Sequence, residues 1–403
     1  MLLALVLRIA CARALALDVR SAFAFDASFY DSLARRLADG GAYADHLGNP
    51  TAFFPPGYPA VLAVAYFAFG QSQFVAWTLN AVSGALTCLF VFLIGARLFS
   101  PALGLAAAGL LAVFPGDVFR SAAIMSEAVF GCLLSAAIYL FARWDGPEDG
   151  VGATRPGRWL CFGLLLGGAT LVRAAGLIFL AGPAVVWLVR DGVREAVART
   201  AITLAGLLLV VLPWTVRNAS LLGAPVLSTD GTFAFFNAHN PLADGSQSFD
   251  MNEIRAREWP WIAHLPPTER EIALSREELR YGVRYLLGHP RRELASIAPR
   301  LGYLYGSDHH PLSDHGSSRV HRAAIWGADL FFFAVLILAL LGVPETVRPL
   351  GSRLVLPATV LCVTTVHGVL FFGDPRYHAP LAPVLALLAV VGAQRVLGWM
   401  AAR

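Results

Sequence analysis

Apolar stretches close to the thickness of a bilayer recur along this chain, and their succession constrains the fold more than any other feature. They run through Leu2–Leu17, Ser72–Leu98, Ala102–Phe114, Ala122–Ala142, Trp159–Val172, Ala174–Val189, Thr200–Val216, Ala323–Val343, Leu354–Phe372 and Pro380–Met400. A spanning helix needs about 20 apolar residues, so several of these must borrow neighbours to cross. The expected architecture is an all-α polytopic membrane protein with about 10–11 spans. The eleventh would be Gly57–Gly70, which is short enough to be re-entrant or interfacial instead. Composition agrees: the chain is 57% hydrophobic and 14% charged, against about 45–50% and about 25% in soluble domains.

The charges mark topology. There is no Lys, and the Arg residues behind the net charge of +4 punctuate apolar runs instead of forming one basic face, which excludes a nucleic-acid partner. Arg-bearing connections near Arg97, between Arg143 and Arg158, between Arg190 and Arg199 and between Arg348 and Arg353 alternate with Arg-poor ones. The positive-inside rule then puts both termini in the cytoplasm. Leu2–Leu17 is broken by Arg8 and Arg13 and lacks a small-residue cleavage site, so it reads as a first span and not a signal peptide. Cys11, Cys88, Cys132, Cys161 and Cys362 all lie within apolar segments and form no CxxC pair, as expected of small buried hydrophobes.

Two connections are too long to be turns, Asp18–Pro56 and Arg217–Arg322, and both fall on the outer side. Ser275–Leu287 and Arg292–Leu304 carry apolar residues at helical spacing, predicting amphipathic helices in a small outer subdomain. The expected division is an N-terminal transmembrane module over 1–216 that includes the first outer loop, 18–56, an outer loop subdomain over 217–321, and C-terminal transmembrane helices over 322–403.

Charged residues that escape the topology pattern are the candidates for chemistry. Asp26 follows the first span closely, where a carboxylate is partly desolvated yet meets substrate; the competing reading is a helix N-cap. Glu127 stands inside an apolar run, roughly 9 Å along a helix from Ser121. An intramembrane acid of this kind marks a functional site or a structural ion pair with Arg120 or another outer-rim Arg. Arg120, Arg173, Arg217 and Arg376 all sit at outer helix ends. Arg at such ends also snorkels to headgroups, but on the outer side it runs against the positive-inside bias.

The ordered pattern carries more than its parts. Asp26 with Tyr30 and an amphipathic helix is followed by Phe53-Phe54-Pro55-Pro56-Gly57-Tyr58-Pro59, Ser126-Glu127-Ala128, Leu171-Val172-Arg173 and Pro213-Trp214-Thr215-Val216-Arg217-Asn218. Leu227-Ser228-Thr229-Asp230-Gly231, Asn237-Ala238-His239-Asn240-Pro241 and Gly373-Asp374-Pro375-Arg376-Tyr377 complete it. In this order the chain resembles the bacterial family 39-like glycosyltransferases of the GT-C class, which are related to protein O-mannosyltransferases and lipid A aminoarabinose transferases. It departs from them at Phe54, where relatives carry a basic residue or His, and at Ala27, where many carry a second acid.

The resemblance implies a GT-C fold in the bacterial inner membrane, with an extracytoplasmic site that transfers a sugar from a decaprenyl- or undecaprenyl-phosphate donor. The acceptor is a glycolipid, a polysaccharide or a protein, and membrane lipids are the other partner. Asp26 is the implied base, and Glu127 the second acid or acceptor-orienting group. Arg173, Arg217, Arg376 and Arg120 bind the donor phosphate through their planar forks. Tyr30, Tyr58, Asn218, Asn240 and Tyr377 contact substrate. No cofactor is implied, the lipid-linked sugar being a substrate, and dependence on a divalent metal is left open. Asp308-His309-His310-Pro311 with Asp314 and His315 has metal-ligand residue types but no fixed spacing, and is expected to be a solvated loop. The Asn218-Ala219-Ser220 sequon sits at a membrane edge and is discounted. The alternative function is a transporter or flippase of lipid-linked sugars, which calls for inverted repeats that the sequence does not display.

Overall fold

The computed structural model describes residues 1–15, 24–145, 155–247, 251–309, 312, 319–348 and 351–402. Helices account for nearly all of them. In chain order they are α1 (Leu2–Leu15), α2 (Ala24–Ala38), α3 (Gly57–Phe69), α4 (Gln73–Leu98), α5 (Pro101–Ala112), α6 (Pro115–Arg120), α7 (Glu127–Trp144), α8 (Pro156–Val172), α9 (Ala181–Asp191) and α10 (Val193–Leu222). There follow α11 (Asp230–Ala238), α12 (Asn252–Glu258), α13 (Pro267–Gly288), α14 (Pro290–Tyr305), α15 (Arg319–Val347), α16 (Val355–Val369), α17 (Pro375–His378) and α18 (Ala382–Ala401). Short 3-10 turns extend α9, α16 and α18 at their starts. Proline opens many of these helices, at Pro101, Pro115, Pro156, Pro267, Pro290 and Pro375, where its missing N–H costs nothing and its fixed φ suits the first turn.

Among the described residues, seven helical stretches are long and apolar enough to cross a membrane: Gln73–Leu98, Glu127–Trp144, Ala174–Asp191, Val193–Leu222, Arg319–Val347, Ser352–Val369 and Pro375–Ala401. Gly57–Phe69, Pro101–Ala112 and Pro156–Val172 are shorter apolar helices. At 1.5 Å per residue, α3 reaches only about 20 Å, against a hydrocarbon core of about 30 Å. Small residues let the long helices touch. A Cβ built on Gly392 would fall 1.9 Å from the Leu338 carbonyl oxygen, and one on Gly342 would fall 2.1 Å from that of Leu388. Only glycine at both positions permits so close a crossing of α15 and α18.

Charged side chains within this apolar bundle are paired, as the cost of burying them requires. Arg8 of α1 is fully buried; it pairs with Asp117 and donates to the carbonyls of Ala112 at 3.4 Å and Leu111 at 3.5 Å. At the far end of α7, Asp145 receives Arg190 at 2.6 and 2.7 Å and the Trp187 indole at 3.2 Å. That end carries the Arg-rich connections, and this network ties α7, α9 and α10 together there.

The opposite end carries the long loops. The two amphipathic stretches expected from the sequence form most of α13 and α14. Arg300 of α14 gathers its neighbours by donating to Glu293 at 2.8 Å, to the Ala238 carbonyl at 2.7 Å and to the Val369 carbonyl at 2.9 Å. It thereby joins the C-terminus of α11 to the chain that leads into α17. The expected single apolar helix over Ala122–Ala142 needs correction: the chain turns over residues 121–126, and α7 begins at Glu127. Glu127 therefore stands in a first helical turn, where the free N–H groups of a helix favour a carboxylate, and not deep within a span.

Candidate active site

Four segments far apart in sequence deliver charged side chains to one place. Asp26 comes from the first turn of α2, Glu127 from the first turn of α7, Arg173 from the residue that ends α8, and Arg376 from α17. Asp374 caps α17 by accepting the Arg376 amide at 2.7 Å, which sets the direction of the turn. Arg376 Nη2 then meets Asp26 Oδ2 at 2.7 Å, and its Nε reaches Glu127 Oε1 at 3.4 Å. Arg173 Nη1 lies 2.7 Å from the same Glu127 oxygen and donates to Ser126 Oγ at 3.1 Å. Tyr30 OH stands 3.4 Å from that hydroxyl. Tyr377, next along from Arg376, stacks on His367 with ring centroids 4.2 Å apart.

Two features make this cluster chemically poised. Among the described residues, Glu127 Oε2 is buried with no hydrogen-bond partner, a state that buried carboxylate oxygens rarely keep. Asp26 and Arg376 retain 19% and 17% side-chain exposure, so the pair opens to the outside while Glu127, at 6%, does not. An aromatic wall flanks Asp26: Phe25, Phe29 and Phe53 lie with ring centroids 5.6 to 6.0 Å apart, and Phe25 is exposed.

The wall and the first loop are held by groups that the sequence suggested for other work. Arg217 donates to the Thr51 carbonyl at 2.8 Å and the Tyr43 carbonyl at 2.6 Å, and its guanidinium lies over Trp214 at 4.8 Å. It is placed as a clamp on loop backbone, not among the cluster's cations. Arg120 is likewise committed elsewhere: it is buried and pairs with Asp308 at 2.8 Å, which also meets His378 Nε2 at 3.1 Å. Tyr58 is fully buried with its hydroxyl 3.4 Å from Asn80 Oδ1, a strut between α3 and α4. Asn218 bonds the Val226 carbonyl at 2.8 Å, and Asn240 bonds the carbonyls of Phe236 and Asn237 at 2.9 Å each. Both amides spend their donors on local backbone and do not reach the cluster.

The Asp308 region also departs from a solvated loop. Asp308 is fully buried; burial would raise its carboxyl, but Arg120 and His378 outweigh this and hold it below the usual carboxylate range. His309 pairs with Asp329 at 2.8 Å. His310, Pro311, Asp314 and His315 lie outside the described residues. Among the described residues no group of three or more His, Cys, Asp or Glu side chains is disposed to hold a metal.

A further carboxylate beside the site belongs to the Leu227-Ser228-Thr229-Asp230-Gly231 stretch. Asp230 begins α11, where the Thr229 and Asp230 amides donate to the carbonyls of Ala52 at 3.0 Å and Phe53 at 3.1 Å. Burial first, then the negative charge of Asp26, push its carboxyl up to about 7 against the pull of Arg376 and Arg173. By composition alone Thr-Asp-Gly reads as a turn or cap. The usable signal is that Asp230 shares a helical face with Ala234 and Ala238.

Known proteins bear on this geometry in two ways. Residues 54–216 match the family model described as dolichyl-phosphate-mannose-protein mannosyltransferase. A search of curated proteins gave no match. Among solved structures, the oligosaccharyltransferase AglB from Archaeoglobus fulgidus, in complex with an inhibitory peptide and a dolichol-phosphate, superposes at TM-score 0.55 with 16% identity over 98% of this chain and 50% of that one. The apo form from the same organism gives TM-score 0.56 with 16% identity, over 98% and 50% of the two chains. ArnT from Cupriavidus metallidurans bound to undecaprenyl phosphate gives 0.47 with 17% identity over 98% and 76%, a score too low to bear on the fold. The chain thus spans about half the length of the archaeal chains it matches. It shares its fold with the archaeal oligosaccharyltransferase, and its residues 54–216 are similar to the mannosyltransferase family.

Proposed function

We propose that the chain is a multi-pass membrane glycosyltransferase that moves a sugar from a polyprenyl-phosphate donor to an acceptor on the extracytoplasmic face of a bacterial inner membrane. The observation that carries this reading is the convergence of Arg376 and Arg173 on Asp26 and Glu127. The family matched by residues 54–216 is named for a lipid-phosphate sugar donor, and AglB was solved with a dolichol-phosphate.

The chemistry asks for these groups. As the acceptor oxygen attacks the anomeric carbon, the bond to the donor phosphate breaks and negative charge collects on that phosphate. A phosphate leaving group needs cations more than a general acid, and preorganised guanidiniums supply them without reorganisation. Arg376 and Arg173 fill this role, with Asp26 and Glu127 fixing their direction. The acceptor hydroxyl loses its proton to a carboxylate of the cluster, for which Asp26 is the candidate supplied by the sequence. The apolar wall of Phe25, Phe29 and Phe53 gives the isoprenoid tail or the sugar face a surface beside the charges.

The test is transfer of label from a radiolabelled undecaprenyl-phosphate mannose by protein reconstituted in liposomes, with donor affinity measured in parallel. Arg376→Ala and Arg173→Ala are expected to weaken donor affinity by about tenfold or more while the protein remains folded. Unchanged affinity in both variants would remove the phosphate-binding assignment.

A further inference from the structure

We infer that Asp230, not Asp26, is the carboxylate that takes the acceptor's proton; the inference rests on the glycosyltransferase reading and names the base within it. Three observations lead there. The first is how the other two acids are engaged. Asp26 accepts an Arg376 hydrogen bond at 2.7 Å, and Glu127 is held by Arg173 at 2.7 Å and Arg376 at 3.4 Å. The oxygens of Asp26 and Glu127 that face the cluster already accept guanidinium N–H groups, so those lone pairs are not free for an acceptor's proton. Among the described residues no ion pair engages Asp230.

The second is position. Asp230, Ala234 and Ala238 follow one another at four-residue spacing and so share one face of α11. Ala234 and Ala238 pack in a buried cluster with Phe372 that Tyr377 borders, directly beside the Arg376 turn. Asp230, a turn nearer the helix start, is therefore carried on the same face toward the guanidinium end. Its amide is tied to the Phe53 carbonyl, and Phe53 borders Phe25 at 5.9 Å, next to Asp26. Arg300 of α14 joins the segments bearing Asp230 and Arg376 through the Ala238 and Val369 carbonyls, which fixes their separation.

The third is proton affinity. Burial and the charge of Asp26 lift Asp230 to about 7, and a general base works best when its pKa lies close to the working pH. The step balances as follows: the acceptor O–H proton passes to the Asp230 carboxylate, the acceptor oxygen bonds to the anomeric carbon, and the bond from that carbon to the phosphate oxygen breaks with its electron pair on the phosphate. Water serves as a simple acceptor, which makes the base testable without knowing the natural one.

The experiment measures release of labelled mannose from undecaprenyl-phosphate mannose by the reconstituted full chain, over about pH 5.5 to 8.5. Wild-type release is expected to rise about tenfold per pH unit below about 7 and to level off above it. Asp230→Asn should lose about 10²-fold or more of the rate together with that ascending limb, with binding of undecaprenyl phosphate unchanged. Asp26→Asn should lower release but keep the limb. Asp230→Glu, which retains the carboxyl if Asn is not tolerated by the fold, should keep the limb at reduced rate. An Asp230→Asn protein with near-normal release, or with the limb intact, overturns the assignment and leaves the glycosyltransferase reading standing. Absence of release by wild-type protein that also fails to bind undecaprenyl phosphate overturns both.

Discussion

Arg376 is the side chain on which the cluster turns, because one guanidinium meets carboxylates from two different helices. Its planar fork makes that possible. Arg376→Lys keeps the charge but offers a single compact ammonium, which cannot span Asp26 and Glu127 together. Donor affinity is expected to fall about tenfold in this variant, measured by titration with undecaprenyl phosphate; affinity equal to wild type would show that charge alone suffices. Asp26, Glu127, Arg173 and Arg376 were legible in the sequence for a physical reason: a charge in or beside an apolar run is costly, so it persists only where it has a partner or a task. Arg217 and Arg120 satisfied the same criterion and had other partners. The sequence shows that such a residue is held, but not by what, since the loop carbonyls around Arg217 and the buried Asp308 beside Arg120 exist only once the chain has folded.

At the scale of elements, periodicity was the reliable guide. Apolar length located the long helices, and helical spacing located α13 and α14. What length could not reveal was the break over residues 121–126, because a turn buried in protein at the end of a bundle is as apolar as the helix that follows it. That break matters, since it converts Glu127 from a mid-helix acid into a helix-start acid facing Arg173. The first loop behaves as an element of its own, fixed by Arg217 and by Glu271, which accepts from Thr51 Oγ1 at 2.8 Å and the Ala52 amide at 2.9 Å. Arg217→Ala is expected to cost about 2–4 kcal/mol of stability, since several hydrogen bonds from one charged group are lost together. Thermal unfolding in detergent measures this, and donor affinity should change less than in the Arg376 variants; the reverse ranking contradicts the clamp.

For the whole molecule, the two ends of the bundle do different work. One end ties its Arg-rich connections to Asp145; the other collects the long loops, the aromatic wall with its exposed Phe25 and the charge cluster. On the proposed function, guanidiniums from α17 and from the end of α8 receive the phosphate of a lipid-linked donor at that second end. The most direct measurement is a structure of the full chain in lipid nanodiscs with undecaprenyl phosphate bound. The phosphate is expected within hydrogen-bond distance of both Arg376 and Arg173, with the prenyl tail leaving along the apolar surface of the bundle. A phosphate seated elsewhere, with Arg376 still closed on Asp26 and Glu127 and Arg173 still closed on Glu127, contradicts it.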